Sequence, residues 1–240
     1  MRVKPNAQPN QSLIDGIAAL QALATSPEPV GNRELARQLG FNPTRVNRLL
    51  KTLAYLGIAR QTANRKYTSG PGMHVLAAQS LFASGLIRNA LPALEKLRRF
   101  GLTVALGVLW NDSVSYLFHA PPGLDAAQGL GRIGLLPASS SGVGIALLAE
   151  HDDAWVRELY EEREIPGFPG GVDDLVAALE EIRALGYARV LVSEEDDRHT
   201  VAVGVGHPAF AAVAVSGWIP EQNMPMIVEA LQQAAQEISD

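Results

Sequence analysis

Apolar positions recur along this chain at two spacings, and the change from one to the other divides it. After Ser12, a residue suited to cap a helix, Leu13, Ile14, Ile17, Leu20 and Leu23 fall at helical intervals. Pro27, Pro29 and Gly31 then force a loop over residues 25–31. Asn32 is placed to cap a second helix, residues 33–39, with Leu35, Ala36 and Leu39 facing inward, and Gly40-Phe41 breaks it. Asn42 before Pro43 is a cap followed by proline at the first helical position. It predicts a third helix from Pro43 to Leu56 that stops at Gly57. The apolar stripe of that helix is Val46, Leu49, Leu50, Leu53 and Leu56. Two short strands, residues 58–61 and 66–68, flank Thr62-Ala63-Asn64-Arg65 as a hairpin.

Gly70-Pro71-Gly72 closes this head. Residues 73–83 and 86–100 return to helical spacing, the latter with Leu91, Leu94 and Leu97 inward, and such a connector can pack against its own copy in a dimer. Past Gly101 the period shortens. Thr103–Trp110 and Val114–Ala120 are strand-like about an Asn111-Asp112 turn, and Tyr187–Val192, Val201–Val205 and Ala211–Gly217 follow later. Helices are predicted at residues 143–148, 173–185 and 224–238. Strand pairs with helices between them give an α+β body built on an antiparallel sheet. The expected division is a head, residues 1–70, a helical connector, 71–100, and a body, 101–240.

Composition narrows the possibilities. Of 240 residues, 47% are hydrophobic and 19% charged, enough apolar side chain for real cores. The chain has no Cys, which excludes a disulfide framework, a thiol nucleophile and thiolate metal sites. No apolar run reaches the roughly 20 residues that span a bilayer, and Met1–Asn10 does not read as a signal peptide, so a cytoplasmic location without a membrane partner is expected. The net charge of −5 conceals an asymmetry. Residues 1–70 hold ten Lys and Arg against three Asp and Glu, whereas residues 71–240 hold ten against twenty-two. A head at +7 on a body at −12 points to a polyanion for one part and something else for the other.

The head has the order of a winged helix-turn-helix: two short helices about a glycine turn, then a basic hairpin. Thr44, Arg45, Asn47, Arg48 and Lys51 lie mostly off the apolar stripe of the third helix. Arg pairs bidentately with guanine, Asn with adenine, and Lys or Thr holds phosphate. Arg65 and Lys66 on the hairpin suit backbone or minor groove, and Asn42 and Tyr67 complete the candidate DNA-binding set. One short helix reads few bases, so a homo-oligomer on a palindromic double-stranded operator is expected.

The body carries little chemistry. Gly129-Leu130-Gly131-Arg132-Ile133-Gly134 matches a dinucleotide fingerprint literally, but Leu135-Leu136-Pro137 stands where a helix should open, and no cofactor is assigned. Ser139, Ser140, Ser141 and Gly142 precede a helix, where hydroxyls and amides can meet a carboxylate, phosphate or hydroxyl; one serine alone suffices as a cap. His74, His119, His151, His199 and His207 show no metal spacing, and no nucleophile elbow is present. His199 beside Glu194, Glu195, Asp196 and Asp197 reads as an exposed acidic loop. No enzyme is expected. The alternatives are an effector-free dimerising module and a small-molecule enzyme in the body.

In their order, these segments resemble the IclR-type bacterial transcription regulators over residues 12–240. The resemblance rests on Arg33-Glu34-Leu35-Ala36, Thr44 through Gly57, Lys66-Tyr67 and Leu91 through Leu97. It continues in Ser141 through Ala149, Ile182 through Ala188, and Ala211 through Gly217. It implies a winged helix-turn-helix and a GAF-like effector domain, hence a small-molecule effector. The implied effector contacts here are Ser141 and Gly142, with Ser216 as the one hydroxyl kept from a Ser-x-Ser-Gly pattern and Thr200 on the strand before it. Ser140, Gly131, Trp110 and His119 complete the candidate effector set, with Tyr116 beside Trp110 on the paired strands. Fewer polar groups than the family pattern argue against a simple keto acid and leave sugars, aromatics or less polar ligands.

Overall fold

A computed structural model describes residues 8–125, 127–131, 134–193 and 195–240. The chain forms two compact units, one ending at Ser84 and the other running Gly85–Asp240. The connector expected at residues 71–100 is therefore divided between them.

In the first unit, α1 (Gln11–Thr25), α2 (Asn32–Leu39) and α3 (Pro43–Tyr55) precede the hairpin β1 (Ala59–Gln61) and β2 (Tyr67–Ser69), and α4 (Pro71–Ser84) follows. Local chemistry sets the helix starts, with two changes from the sequence expectation. Asn10, not Ser12, caps α1 by accepting from the Leu13 amide at 3.2 Å. Helix α2 takes in Asn32; Gly31 precedes it, and the Glu34 carboxylate accepts from the Gly31 amide at 3.3 Å. The Asn32 side chain instead donates to the Pro43 carbonyl at 3.2 Å, linking the starts of α2 and α3. Asn42 caps α3 as expected, accepting from the Thr44 amide at 2.8 Å. The core joins Ala19, Leu23, Val30, Leu35, Val46, Leu50, Leu53 and Tyr67. Leu56, expected on the buried stripe, is 57% exposed; at about 100° per residue it lies roughly 90° around the helix from the centre of the Val46, Leu50 and Leu53 stripe.

The second unit is a six-stranded antiparallel sheet in the order β5-β4-β3-β8-β7-β6. The strands are β3 (Thr103–Trp110), β4 (Ser113–Ala120), β5 (Leu136–Pro137), β6 (Ala188–Ser193), β7 (Arg198–Val205) and β8 (Ala211–Trp218). Helices α5 (Leu86–Leu97) and α9 (Met224–Ser239) cover one face; α6 (Gly142–Leu148), α7 (Asp153–Tyr160) and α8 (Val172–Leu185) cover the other. Helix α7, capped by Asp152, and the two-residue β5 were not anticipated.

Strand alternation explains the two layers. On β8, Val213 and Val215 face α5 and α9, while Ala212 and Ala214 face α6. Small residues on the α6 side let that helix sit close. A Cβ on Gly107 would come within 3.0 Å of Val143, and one on Gly142 within 2.5 Å of Thr200.

Candidate functional site

The chemistry of α3 is set by its helical register. Val46, Leu50 and Leu53 point into the core, so at about 100° per residue the opposite stripe is Thr44, Arg48, Lys51 and Tyr55. All four are exposed, Tyr55 by 89%, and Asn47 flanks them half-buried. Tyr55 was not anticipated. The expected set of Thr44, Arg45, Asn47, Arg48 and Lys51 stops one turn short of it, although the spacing from Lys51 places Tyr55 on the same face.

Two expected DNA-binding residues are placed elsewhere. Tyr67 is 3% exposed. Its amide and carbonyl both pair with Val30 at 2.8 Å, and alternation along the hairpin turns its ring into the core while Lys66 faces out. Tyr67 is thus a core residue. Arg45 lies on the flank of α3 toward α1, where its guanidinium pairs with Asp15 and stands 5.3 Å from the centre of the Phe41 ring. Asp15 is 1% exposed and also accepts from the Gln11 side chain at 3.0 Å. Removing the arginine strands a buried carboxylate. Arg45→Ala is therefore expected to destabilise the first unit by about 2 kcal/mol, read as a lower denaturant midpoint with unchanged slope.

The hairpin tip has the predicted form. The Thr62 amide donates to the Lys66 carbonyl at 2.8 Å, Arg65 takes φ 61°, and Ala63, Asn64, Arg65 and Lys66 are exposed. Arg60 on β1 and Arg33 and Arg37 on α2 add exposed cations that the candidate set did not contain.

On the second unit, the strand register brings His119, Thr200 and Ser216 of the expected effector set onto the α6 face. Thr103, Ser216, Thr200 and Val190 form one cross-strand row; His119, Ala105, Ala214 and Ala202 form the next; Tyr116, Gly107, Ala212 and Gly204 form the third. Arg198 and Trp218, both exposed, pair beyond the first row. The Thr200 hydroxyl donates to Ser216 Oγ at 2.9 Å. Tyr116 and His119 are three residues apart and would ordinarily face opposite sides. A bulge in β4, opposite the Leu106/Gly107 step, sets Leu117 outside the pairing and puts both rings on one face, edge to face at 5.7 Å.

Ser141 closes this face from the helix side. Its Oγ accepts from the Gly144 amide at 3.1 Å and bonds the Tyr116 hydroxyl at 2.8 Å. Burial raises the Tyr116 pKa, partly offset by that bond, so the phenol stays protonated at neutral pH. Ser141 is therefore the α6 cap, and Gly142 sits directly over Thr200.

Three members of the effector set lie apart from these rows. Trp110 ends β3 on the alternation of Val108, which faces α5 and α9, and is 49% exposed; Thr103, in the polar row, is at the other end of the strand. Gly131 is exposed beyond β4, and Ser140 is exposed with its hydroxyl on the Pro137 carbonyl at 3.2 Å. Arg132 and Ile133 of the glycine-rich stretch, and Glu194 of the acidic loop, lie outside the described residues.

Known proteins share this plan. The family model of the IclR helix-turn-helix domain matches residues 12–63, and that of the bacterial transcriptional regulator IclR C-terminal domain matches residues 78–240. The HTH-type transcriptional regulator BhcR of Paracoccus denitrificans (strain Pd 1222) is 28% identical over 232 residues, 86% of this chain and 78% of that protein. An IclR-type regulator from Silicibacter sp. TM1040 superposes with a TM-score of 0.79 at 21% identity, over 95% of this chain and 94% of its own. An IclR homologue from Microbacterium hydrocarbonoxydans, solved in complex with 4-hydroxybenzoate, gives 0.67 at 22% identity, over 95% and 98%. The winged helix-turn-helix, the two-faced sheet and both family matches agree: this chain belongs to the IclR family of bacterial transcriptional regulators.

Proposed function

We propose that the protein binds a palindromic operator as a homodimer or tetramer in the cytoplasm and changes its DNA affinity when a small molecule occupies the α6 face of the sheet. The observation that carries the DNA reading is the exposed Thr44–Arg48–Lys51 stripe opposite the buried one on α3. Thr44, Asn47 and Arg48 meet base edges, Lys51 and Asn42 lie toward phosphate, and Arg65 and Lys66 reach the flanking backbone. Self-association has its own support. No residue of α4 is buried, and Val75, Leu76, Leu81 and Phe82 stand exposed, as do Leu13, Ile14 and Ile17 of α1. That much apolar surface is suited to burial by a second copy.

For the ligand, the Thr103, Thr200 and Ser216 row supplies hydroxyls and the neighbouring row the His119 imidazole, over a floor of alanines. Trp218 and Arg198 lie at the open end. A small aromatic or hydroxylated acid fits these groups, and the 4-hydroxybenzoate bound by the Microbacterium relative belongs to that class. Such a ligand shifts DNA affinity only by its differential affinity for the bound and unbound states.

The test is a footprint of the full-length protein on DNA flanking its own gene, repeated over a salt series. A bounded, two-fold symmetric protected site whose affinity falls steeply with salt is the expected result. Binding that ignores both sequence and salt overturns the DNA reading. Adding aromatic and hydroxylated acids to the same complex, with melting temperature followed in parallel, tests the ligand. If no compound of that class shifts either signal, the body serves only to associate copies.

A further inference from the structure

Among the described residues, Asp15 is the one charged side chain buried in a core. Its place is unusual in a second way, because the cation it holds belongs to the DNA-facing helix. Arg45 follows Thr44 in the first turn of α3, where a guanidinium would ordinarily add one positive charge toward a DNA backbone. Here the charge is turned sideways onto Asp15 of α1 and lies near the Phe41 ring, although the arginine side chain remains 43% exposed. A buried carboxylate is costly unless it is paired and hydrogen-bonded, and the Arg45 and Gln11 contacts meet that requirement. Two apolar residues would fill the same space without the charge. What the pair adds is a restraint on Arg45.

We infer that Asp15 is a specificity-determining residue for DNA binding. It holds Arg45 out of the interface, leaving base reading to Thr44, Asn47 and Arg48, and it removes one charge per subunit from the sequence-independent attraction to phosphate. Lower non-specific affinity at unchanged specific contacts widens the gap between the two, which is what discrimination among DNA sites consists of. The inference rests on the DNA-binding reading above.

The test measures affinity for a duplex of random sequence over a salt series with the full-length protein. Asp15→Asn keeps the shape and the Gln11 contact but releases Arg45. It is expected to raise random-duplex affinity several-fold at low salt and to steepen the slope of log K against log salt by about 1 per engaged subunit. Adding Arg45→Met to Asp15→Asn should return both quantities to the wild-type values, an outcome that a purely structural role for Asp15 does not produce. Arg45→Met alone should leave the wild-type slope unchanged. A wild-type slope for folded Asp15→Asn, or a slope flattened by about 1 per subunit in Arg45→Met alone, overturns the inference, and either arm decides by itself if the other variant does not fold. A wild-type protein with no salt dependence overturns the DNA-binding reading instead.

Discussion

Arg48→Ala is expected to weaken operator binding by about 2 kcal/mol per half-site, roughly thirtyfold for each subunit engaged. Arg48 is exposed on the stripe opposite the α3 core, and among the described residues the fold uses its backbone carbonyl, bonded by the Thr52 hydroxyl, and not its guanidinium. The loss should therefore come without a change in melting temperature. It should also relax discrimination at one base pair in each half-site, because a bidentate arginine reads a particular base. Lys51→Ala provides the contrast. If it holds phosphate, it weakens operator and random duplex alike and flattens the salt slope by about 1. Quantitative gel shifts on both DNAs separate the two patterns, and an unchanged operator affinity for Arg48→Ala rules out its reading role.

Gly144→Ala is expected to destabilise the second unit by about 3 kcal/mol, at the upper end of what overpacking costs. A Cβ there would stand 2.2 Å from the Ala138 carbonyl oxygen and 2.5 Å from the Ala138 Cα. Both are backbone atoms, which cannot rotate away as a side chain can. Relief requires α6 to shift from the turn before it, and the bonds from Ser141 to the Gly144 amide and to Tyr116 are lost with that movement. Calorimetry should show a lower transition for the second unit. Random-duplex binding by the first unit should persist, while any ligand response carried by the α6 face disappears. A variant that melts like the wild type would show that α6 does not pack as described.

Much of this was legible in the sequence wherever the determining interaction is local. Asn42 before Pro43 starts α3 because the cap and the fixed proline φ act within one turn. The Asn111-Asp112 turn lies between strands whose pairing runs from Trp110 with Ser113 back to Val104 with Ala120. Asn32 shows how a local signal loses to a neighbour. Its type suits a cap, but the Pro43 carbonyl is within reach only after α2 and α3 have packed, and Glu34 meets the vacant amide of Gly31 instead.

By itself the sequence determined the basic head and acidic body, the order of most elements and the family resemblance, because charge, periodicity and capping are properties of neighbouring residues. The tertiary structure alone decided which chemistry-bearing side chains are available. Arg45 and Asp15 are far apart in the chain, and their pairing follows only from how α1 packs on α3. Tyr67 is basic-hairpin sequence but core residue, since the paired backbone bonds with Val30, distant in the chain, fix which way it faces. Tyr116 and His119 share a face through a single bulge, and Thr103, Thr200 and Ser216 form a row only because three strands align in register. Register and helix packing are settled by complementary surfaces brought together from distant parts of the chain, and no window of sequence contains both halves of such a surface.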